Sequence, residues 1–385
     1  MKQYLDLCQA ILDNGVKTGD RTGTGTYTLP GYFYTCEMQQ QNLKGEIKNY
    51  PLLTTKAMSF KSIFEELIWK LSGDTNIRFL VEHNNHIWTE WPFKNWLQET
   101  GQTALLKNMW KDKKKSDYTD EWKAAKKEFE QKILTDSEFC RKWGELGHTY
   151  GYQFRHFGEI TYDDFDEQVR KDVFRDIDYH SNVLIKGEDQ LMNAIDKIKN
   201  NPEDRRIIIS LWNPKDEKKT LLPPCPCFYQ FFANEPGKLH LNMYQRSCDT
   251  FLGVPYNTAQ DALFLCMMAH VTGRKPGRFN HFFGDAHIYL NLVDQVKEQL
   301  TRTPHFLPSI KLNPDVKNIL DFKFEDIELI GYEHDTRIKG AVSIWEKPFI
   351  LFKKPREVSF LRLFYYLSFW GVKRRRILCV LFVIT

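Results

Sequence analysis

The sequence has no apolar run long enough to span a bilayer and no signal-peptide pattern near its start, so a secreted or membrane-spanning chain is not expected. Cysteine is sparse: eight are scattered over 385 residues, at 8, 36, 140, 225, 227, 248, 266 and 379. That scatter excludes a disulfide framework and predicts reduced thiols in a cytoplasmic setting. Cys225-Pro226-Cys227 is the one close pair, and no second Cys or His pair stands at ligand spacing, so no metal site is expected. The turn Gly19-Asp20-Arg21-Thr22-Gly23-Thr24-Gly25-Thr26 lacks the Gly-Lys-Ser/Thr of a nucleotide-binding loop, and no dinucleotide or pyridoxal motif appears elsewhere. A strong charge of one sign is also missing. The net is +4, but nine Lys and Arg against two Glu give residues 345–385 a charge of +7, which leaves residues 1–344 at −3. The body therefore has no general basic field for direct binding of nucleic acid.

What is present is globular. Apolar residues make up 42% and aromatic residues 14%, enough for a large core. The chain is organised around residues 222–261. Leu222-Pro223-Pro224-Cys225 enters a strand, a Gly turn leads to a second strand from Lys238 to Ser247, and a Gly-Pro loop leads to a helix opening at Asn257. A thiol, a guanidinium (Arg246) and an amide (Asn257) fall within this short stretch: a nucleophile, an anion clamp and a group that can read a planar ring.

Elsewhere, periodicity predicts a helix over residues 2–14, a strand over 27–36 and the clearest helix over Lys56 to Leu71. A second helix carries Phe79, Leu80 and His83. Further helices are expected over Glu121 to Leu134, Gln190 to Lys199 and, apolar on most faces, Asn257 to Val271. Read locally, Glu66 is a surface glutamate and the tryptophans at 88 and 91 are core aromatics.

Cys225 with Gln230, the run Gln245-Arg246-Ser247-Cys248-Asp249, Leu252-Gly253-Val254-Pro255-Tyr256-Asn257 and Gly284-Asp285-Ala286-His287-Ile288-Tyr289 together resemble the thymidylate synthase and nucleotide hydroxymethylase family. The resemblance runs from Asp20 to about Ile344, with residues 96–145 outside its common core. It implies an α+β fold: a mixed sheet, a buried central helix and a small helical insertion. It divides the chain into a catalytic domain, 1–344, with 96–145 as an inserted surface subdomain, and a basic, apolar extension, 345–385.

The resemblance also implies roles. Cys225 is the nucleophile, with Glu66 and Tyr150 as its catalytic partners. Arg21 and Arg246, Ser247, and Arg205 and Arg206 from a second copy hold the phosphate of dUMP, which makes the protein a homodimer. Gln245 and Asp249 also bind the substrate, Asn257 reads its base, and His287 and Tyr289 hold the deoxyribose hydroxyl. The cosubstrate is 5,10-methylenetetrahydrofolate, at Lys56, Trp88, Trp91, Asp249 and Gly253. Asn257 favours uracil, since it can accept from N3–H and donate to O4, whereas an Asp would suit cytosine better.

Several positions depart from the family pattern. Pro226 stands for a usual His, Thr258-Ala259-Gln260-Asp261 for Ile-Ala-Ser-Tyr, Thr89 for an Asp, Tyr152 for a Lys, and Phe154 and Phe157 for tryptophans. They cluster where ordered water and lid closure matter, and the extension past Ile344 denies the lid its terminal carboxylate. The expected product is accordingly 5-hydroxymethyl-dUMP, made for modified phage DNA, with dTMP as the alternative. The extension itself reads as a surface anchor, a docking segment for replication enzymes, or misread coding sequence.

Overall fold

The computed structural model describes residues 1–20, 22–40, 45–112, 117–162, 183–340 and 342. Arg21 and the extension after Ile344 lie outside the described residues. The chain divides into two compact units, Met1–Phe157 with Asp189–Phe349, and Gly158–Glu188 with Ile350–Thr385. Of the second unit the described part is a small antiparallel pair, Ile160–Thr161 with Val183–Ile185.

The first unit is built on a six-stranded mixed sheet in the order Val16–Thr18, Thr26–Glu37, Lys275–Tyr289, Lys238–Asp249, Pro226–Phe232, Ile208–Ser210. All neighbours are antiparallel except Lys238–Asp249 and Lys275–Tyr289, which run parallel with Ser247 opposite Asp285 and Asp249 opposite His287. A parallel pair needs a long crossover. Here it is the helix Gly253–Val271, of which 15 residues are buried. That helix has no polar stripe, so it must be covered on every side. The sheet covers one side and the helix Phe60–Ser72 packs against it as well. The carboxyl ends of the two parallel strands and the start of the central helix are thereby brought together.

Alternation along the strands sorts the sheet into two faces. Met243, His281 and Tyr34 are in register on the buried face. On the other face Phe33, Phe282, Tyr244 and Phe228 form a cross-strand row, with Phe33 60% and Tyr244 44% exposed. Gly284 lets the Tyr244 side chain lie close over this strand: a Cβ there would meet its hydroxyl at 2.5 Å and the Arg246 carbonyl at 3.1 Å.

Three sequence expectations need correction. The helix expected from Lys56 begins at Phe60, with Ser59 as its N-cap accepting from Ser62 N–H at 3.3 Å. The residues before it are diverted by the far end of the chain: the Tyr332 hydroxyl accepts from Met58 N–H and donates to the Leu53 carbonyl, and Asp335 N–H bonds the Thr54 carbonyl. The next helix stops at Glu82, leaving His83 as its C-cap. The central helix begins at Gly253, not Asn257, because the Asp249 carboxylate accepts from Phe251 and Leu252 N–H at 3.1 and 3.0 Å and starts the turn early.

Residues 96–145 add the helices Asp120–Thr135 and Ser137–Trp143. Trp122, Phe129 and Phe139 from these helices pack on Phe93 and Trp96, with Phe93 and Trp122 4.9 Å apart edge to face.

Candidate functional site

Cys225 sits just before the strand Pro226–Phe232, half-buried. Its backbone is held from two sides. Its N–H donates to the Tyr150 hydroxyl at 2.8 Å, and its carbonyl accepts from Arg246 N–H at 2.9 Å. The Arg246 guanidinium is clamped to the segment leading into the cysteine, with Nε donating to the Pro224 carbonyl and Nη2 to that of Pro223, both at 2.8 Å. Its plane also lies 5.1 Å from the Trp212 ring. Nη2 comes 3.9 Å from Sγ, so the thiol stands beside a permanent positive charge. Cys227 and Cys248 are buried and their thiols are pushed upward by that burial, which makes them inert beside Cys225.

Tyr150 is buried with its phenol well above the ordinary value, chiefly through burial, so it keeps its own proton while accepting from Cys225. Its ring meets Trp88 edge-on at 5.6 Å and lies 4.5 Å from the Lys70 ammonium. Trp88 in turn donates its indole N–H to Glu66 Oε1 at 2.9 Å and stands 5.2 Å from Trp91. Glu66 is buried rather than on the surface. Gln260 donates to its Oε2 at 2.8 Å, and Lys70 lies 2.9 Å from Oε1 and donates to Gln260 Oε1 at 2.7 Å. A continuous path thus runs from the Cys225 backbone through Tyr150 to Lys70, Trp88 and Glu66.

A second polar chain ends at Asn257. The Gln245 amide donates to Asn257 Oδ1 at 3.0 Å and to the Ser247 carbonyl at 3.1 Å. Its own oxygen accepts from His281 Nε2 at 2.9 Å. His281 is fully buried, and burial drives its basicity well below the usual range, so the ring is neutral with one donor and one acceptor nitrogen. Nδ1 then accepts from Thr258, 3.1 Å away, and Thr258 accepts from the Tyr34 hydroxyl at 2.6 Å. The chain fixes Asn257 with its oxygen toward Gln245 and its NH₂ turned elsewhere.

At the ends of the parallel strands, His287 faces Tyr289 edge-on at 5.0 Å. Burial opposes its imidazolium, but Asp285 at 3.5 Å and the charge of Asp249 outweigh that and raise it overall. Burial raises the Asp249 carboxyl. Lys56 does not project into open space: its ammonium donates to the Phe251 carbonyl and lies 3.8 Å from the Phe251 ring, and burial lowers it to about 8.

Arg205 and Arg206 are not drawn to Cys225 within the chain. They line an open concavity of about 500 Å³ with Asn201, Glu203 and Asp204, and Arg206 pairs with Asp204 at 2.9 Å. Arg21 lies outside the described residues. Its neighbour Asp20 braces the turn by accepting from Thr22 and Gly25 N–H at 2.8 and 2.7 Å.

Two of the positions that depart from the family pattern, Thr258 and Gln260, belong to these networks, and three others pack or bond beside them. Thr258 and Gln260 are in the two polar chains, Asp261 accepts from the Tyr229 hydroxyl at 3.2 Å, and Phe154 packs on Tyr229 and Phe264. Tyr152 stacks on His148 at 3.7 Å. Sequence reasoning missed Lys70 and His281. Lys70 was detectable as a lysine on the apolar stripe of its helix, one turn after Glu66; His281 was detectable from the alternation of its strand.

The thymidylate synthase family model matches residues 2–344. Thymidylate synthases from Listeria monocytogenes serotype 4b, strains CLIP80459 and F2365, are each 40% identical over 348 residues, covering 89% of this chain and 100% of each relative. Enzymes of this family are one-carbon transferases that bind dUMP and use methylenetetrahydrofolate. The match spans the Cys225 segment, both polar chains and the flanking helices, and this chain belongs to the thymidylate synthase family.

Proposed function

We propose that the chain transfers a one-carbon unit from 5,10-methylenetetrahydrofolate to C5 of dUMP through a covalent Cys225 adduct, and that the product is dTMP. The contact path from Cys225 through Tyr150 to Glu66 carries the mechanism, because it links a nucleophile to a proton-handling carboxylate. The whole-length likeness to two proteins named thymidylate synthase favours methyl over hydroxymethyl as the product.

In this reading Sγ adds to C6 of the uracil ring, and the electron pair displaced from the C5=C6 bond makes C5 nucleophilic. Glu66 exchanges the proton that balances charge at the ring oxygen, an effect worth about 10²–10⁴-fold. Asn257, with its oxygen held by Gln245, turns its NH₂ to O4 and accepts from N3–H. Arg246 keeps Nη1 outside its two carbonyl bonds and offers it to the phosphate with Ser247 and Arg21. His287 and Tyr289 bind the sugar hydroxyl.

The residues fit the folate: half-exposed Trp91 backed by Trp88 offers a flat aromatic wall, and Asp249 and Gly253 border it at the start of the central helix. The bound folate supplies the carbon and, for a methyl product, a hydride. Lys56 would act there indirectly, by holding the Phe251 carbonyl.

A second copy completes the site. The aromatic row Phe33, Phe282, Tyr244, Phe228, exposed at all but half-buried Phe282, is a face that favours burial, and Arg205 and Arg206 are left for a partner's phosphate pocket.

Hydroxymethyl-dUMP is a second reading, favoured by one observation: charged and amide groups, Lys70, Gln260 and Asp261, surround Glu66, and such groups can keep a water near the reacting carbon. The covalent step is tested with 5-fluoro-dUMP and methylenetetrahydrofolate. Fluorine cannot leave C5 as a proton does, so a peptide carrying both ligands on Cys225 is expected. Failure to form that adduct, with dUMP turnover intact, would overturn the Cys225 assignment.

A further inference from the structure

Glu66, Lys70 and Gln260 form a closed ring of three contacts inside the protein. Lys70 Nζ donates to Gln260 Oε1 at 2.7 Å, Gln260 Nε2 donates to Glu66 Oε2 at 2.8 Å, and Lys70 Nζ lies 2.9 Å from Glu66 Oε1. Glu66 and Lys70 are one turn apart on the helix Phe60–Ser72, and Gln260 comes from the central helix. An ammonium buried to 5% exposure is costly unless its hydrogens are matched. Here two directions go to Glu66 and Gln260 and the ammonium also faces the Tyr150 ring at 4.5 Å. Its carboxylate partner, Glu66, is linked to the Cys225 backbone through Trp88 and, by way of Lys70 itself, through that same Tyr150 ring.

The ring has a consequence for the carboxylate. A carboxylate offers about four lone-pair sites. Oε1 takes Trp88 and Lys70, and Oε2 takes Gln260. Among the described residues one site remains, on Oε2. We propose that Lys70 is a positioning residue: with Gln260 it locks the carboxylate so that Glu66 Oε1 serves structure and Oε2 alone handles the proton of the reaction. The assignment rests on the reading of Glu66 as the proton-handling group. Lys70 touches no reacting atom in it. It holds Glu66 directly, and it fixes which end of the Gln260 amide faces Glu66, since only the amide oxygen can accept from an ammonium.

The test compares Lys70→Met, Glu66→Gln and the double variant in the full chain, measuring kcat and KM for dUMP and adduct formation with 5-fluoro-dUMP. Glu66→Gln is expected to lose about 100-fold or more in kcat. Lys70→Met is expected to lose about 30-fold in kcat with KM within about threefold and the adduct still forming, and to cost under about threefold when Glu66 is already Gln. Lys70→Met within about threefold of the parent kcat, or with its full effect undiminished in the Glu66→Gln background, would overturn the proposal. Because loss of one partner of a buried ion pair can unfold a protein, Gln260→Leu is the second variant: it keeps the ion pair and opens the ring. A kcat drop of about tenfold that disappears in the Glu66→Gln background supports the ring, and an unchanged kcat overturns it. If Glu66→Gln is as active as the parent, the functional reading itself has failed; if Glu66→Gln is impaired and neither ring variant is, only the role given to Lys70 has failed.

Discussion

The Tyr150 hydroxyl accepts the amide N–H of Cys225 at 2.8 Å, and this bond joins the Cys225 backbone to the aromatic wall beside Glu66. Tyr150→Phe would leave that N–H without its partner where the ring packs. A loss of about tenfold in kcat is expected, with stability reduced by about 1–2 kcal/mol. Steady-state kinetics and thermal unfolding check both.

Asn257 is the predicted base reader. Gln245 donates to its Oδ1, an acceptor that a carboxylate would keep. Asn257→Asp keeps the bond to Gln245 but removes the NH₂ donor, so activity on dUMP should fall at least about 100-fold relative to dCMP. Competition between the two nucleotides, read by mass analysis, decides it.

Asp261 gives a pH signature. Burial is the largest influence on it, partly offset by the charge of Lys70 and the Tyr229 hydroxyl, and lifts its carboxyl to about 7. A carboxyl raised in the folded state contributes most below the ordinary carboxylate value and loses that contribution as pH rises toward about 7. Asp261→Asn stays neutral throughout. Its melting temperature should exceed the parent's at pH 8, and the gain should shrink steadily toward pH 4. An equal effect at both pH values would contradict the assignment.

The aromatic row across the sheet predicts a dimer. Tyr244→Glu, at the centre of a face that includes exposed Phe33, should give monomers in sedimentation and lose most activity. Mixing Cys225→Ser with Arg206→Ala protein should restore part of the activity if Arg206 serves a second copy's site.

Much of the architecture was legible because it is written in local period. Alternation marks the long strands, and a helix apolar on most faces marks the buried crossover. The start of the Phe60–Ser72 helix was not legible, because Tyr332 and Asp335 satisfy the backbone ahead of it from far along the chain. Within the site, the residue types around Cys225 pointed to their chemistry. Lys70 shows the limit: its pairing with Glu66 follows from one helical turn, but its bond to Gln260 spans 190 positions and depends on how two helices pack.

The most direct test incubates the purified full chain with dUMP and methylenetetrahydrofolate and determines the mass of the nucleotide and the oxidation state of the folate together. The account predicts dTMP with one dihydrofolate per nucleotide formed. 5-Hydroxymethyl-dUMP with tetrahydrofolate and no dihydrofolate would contradict it, and would make the polar groups around Glu66 the place where water is held.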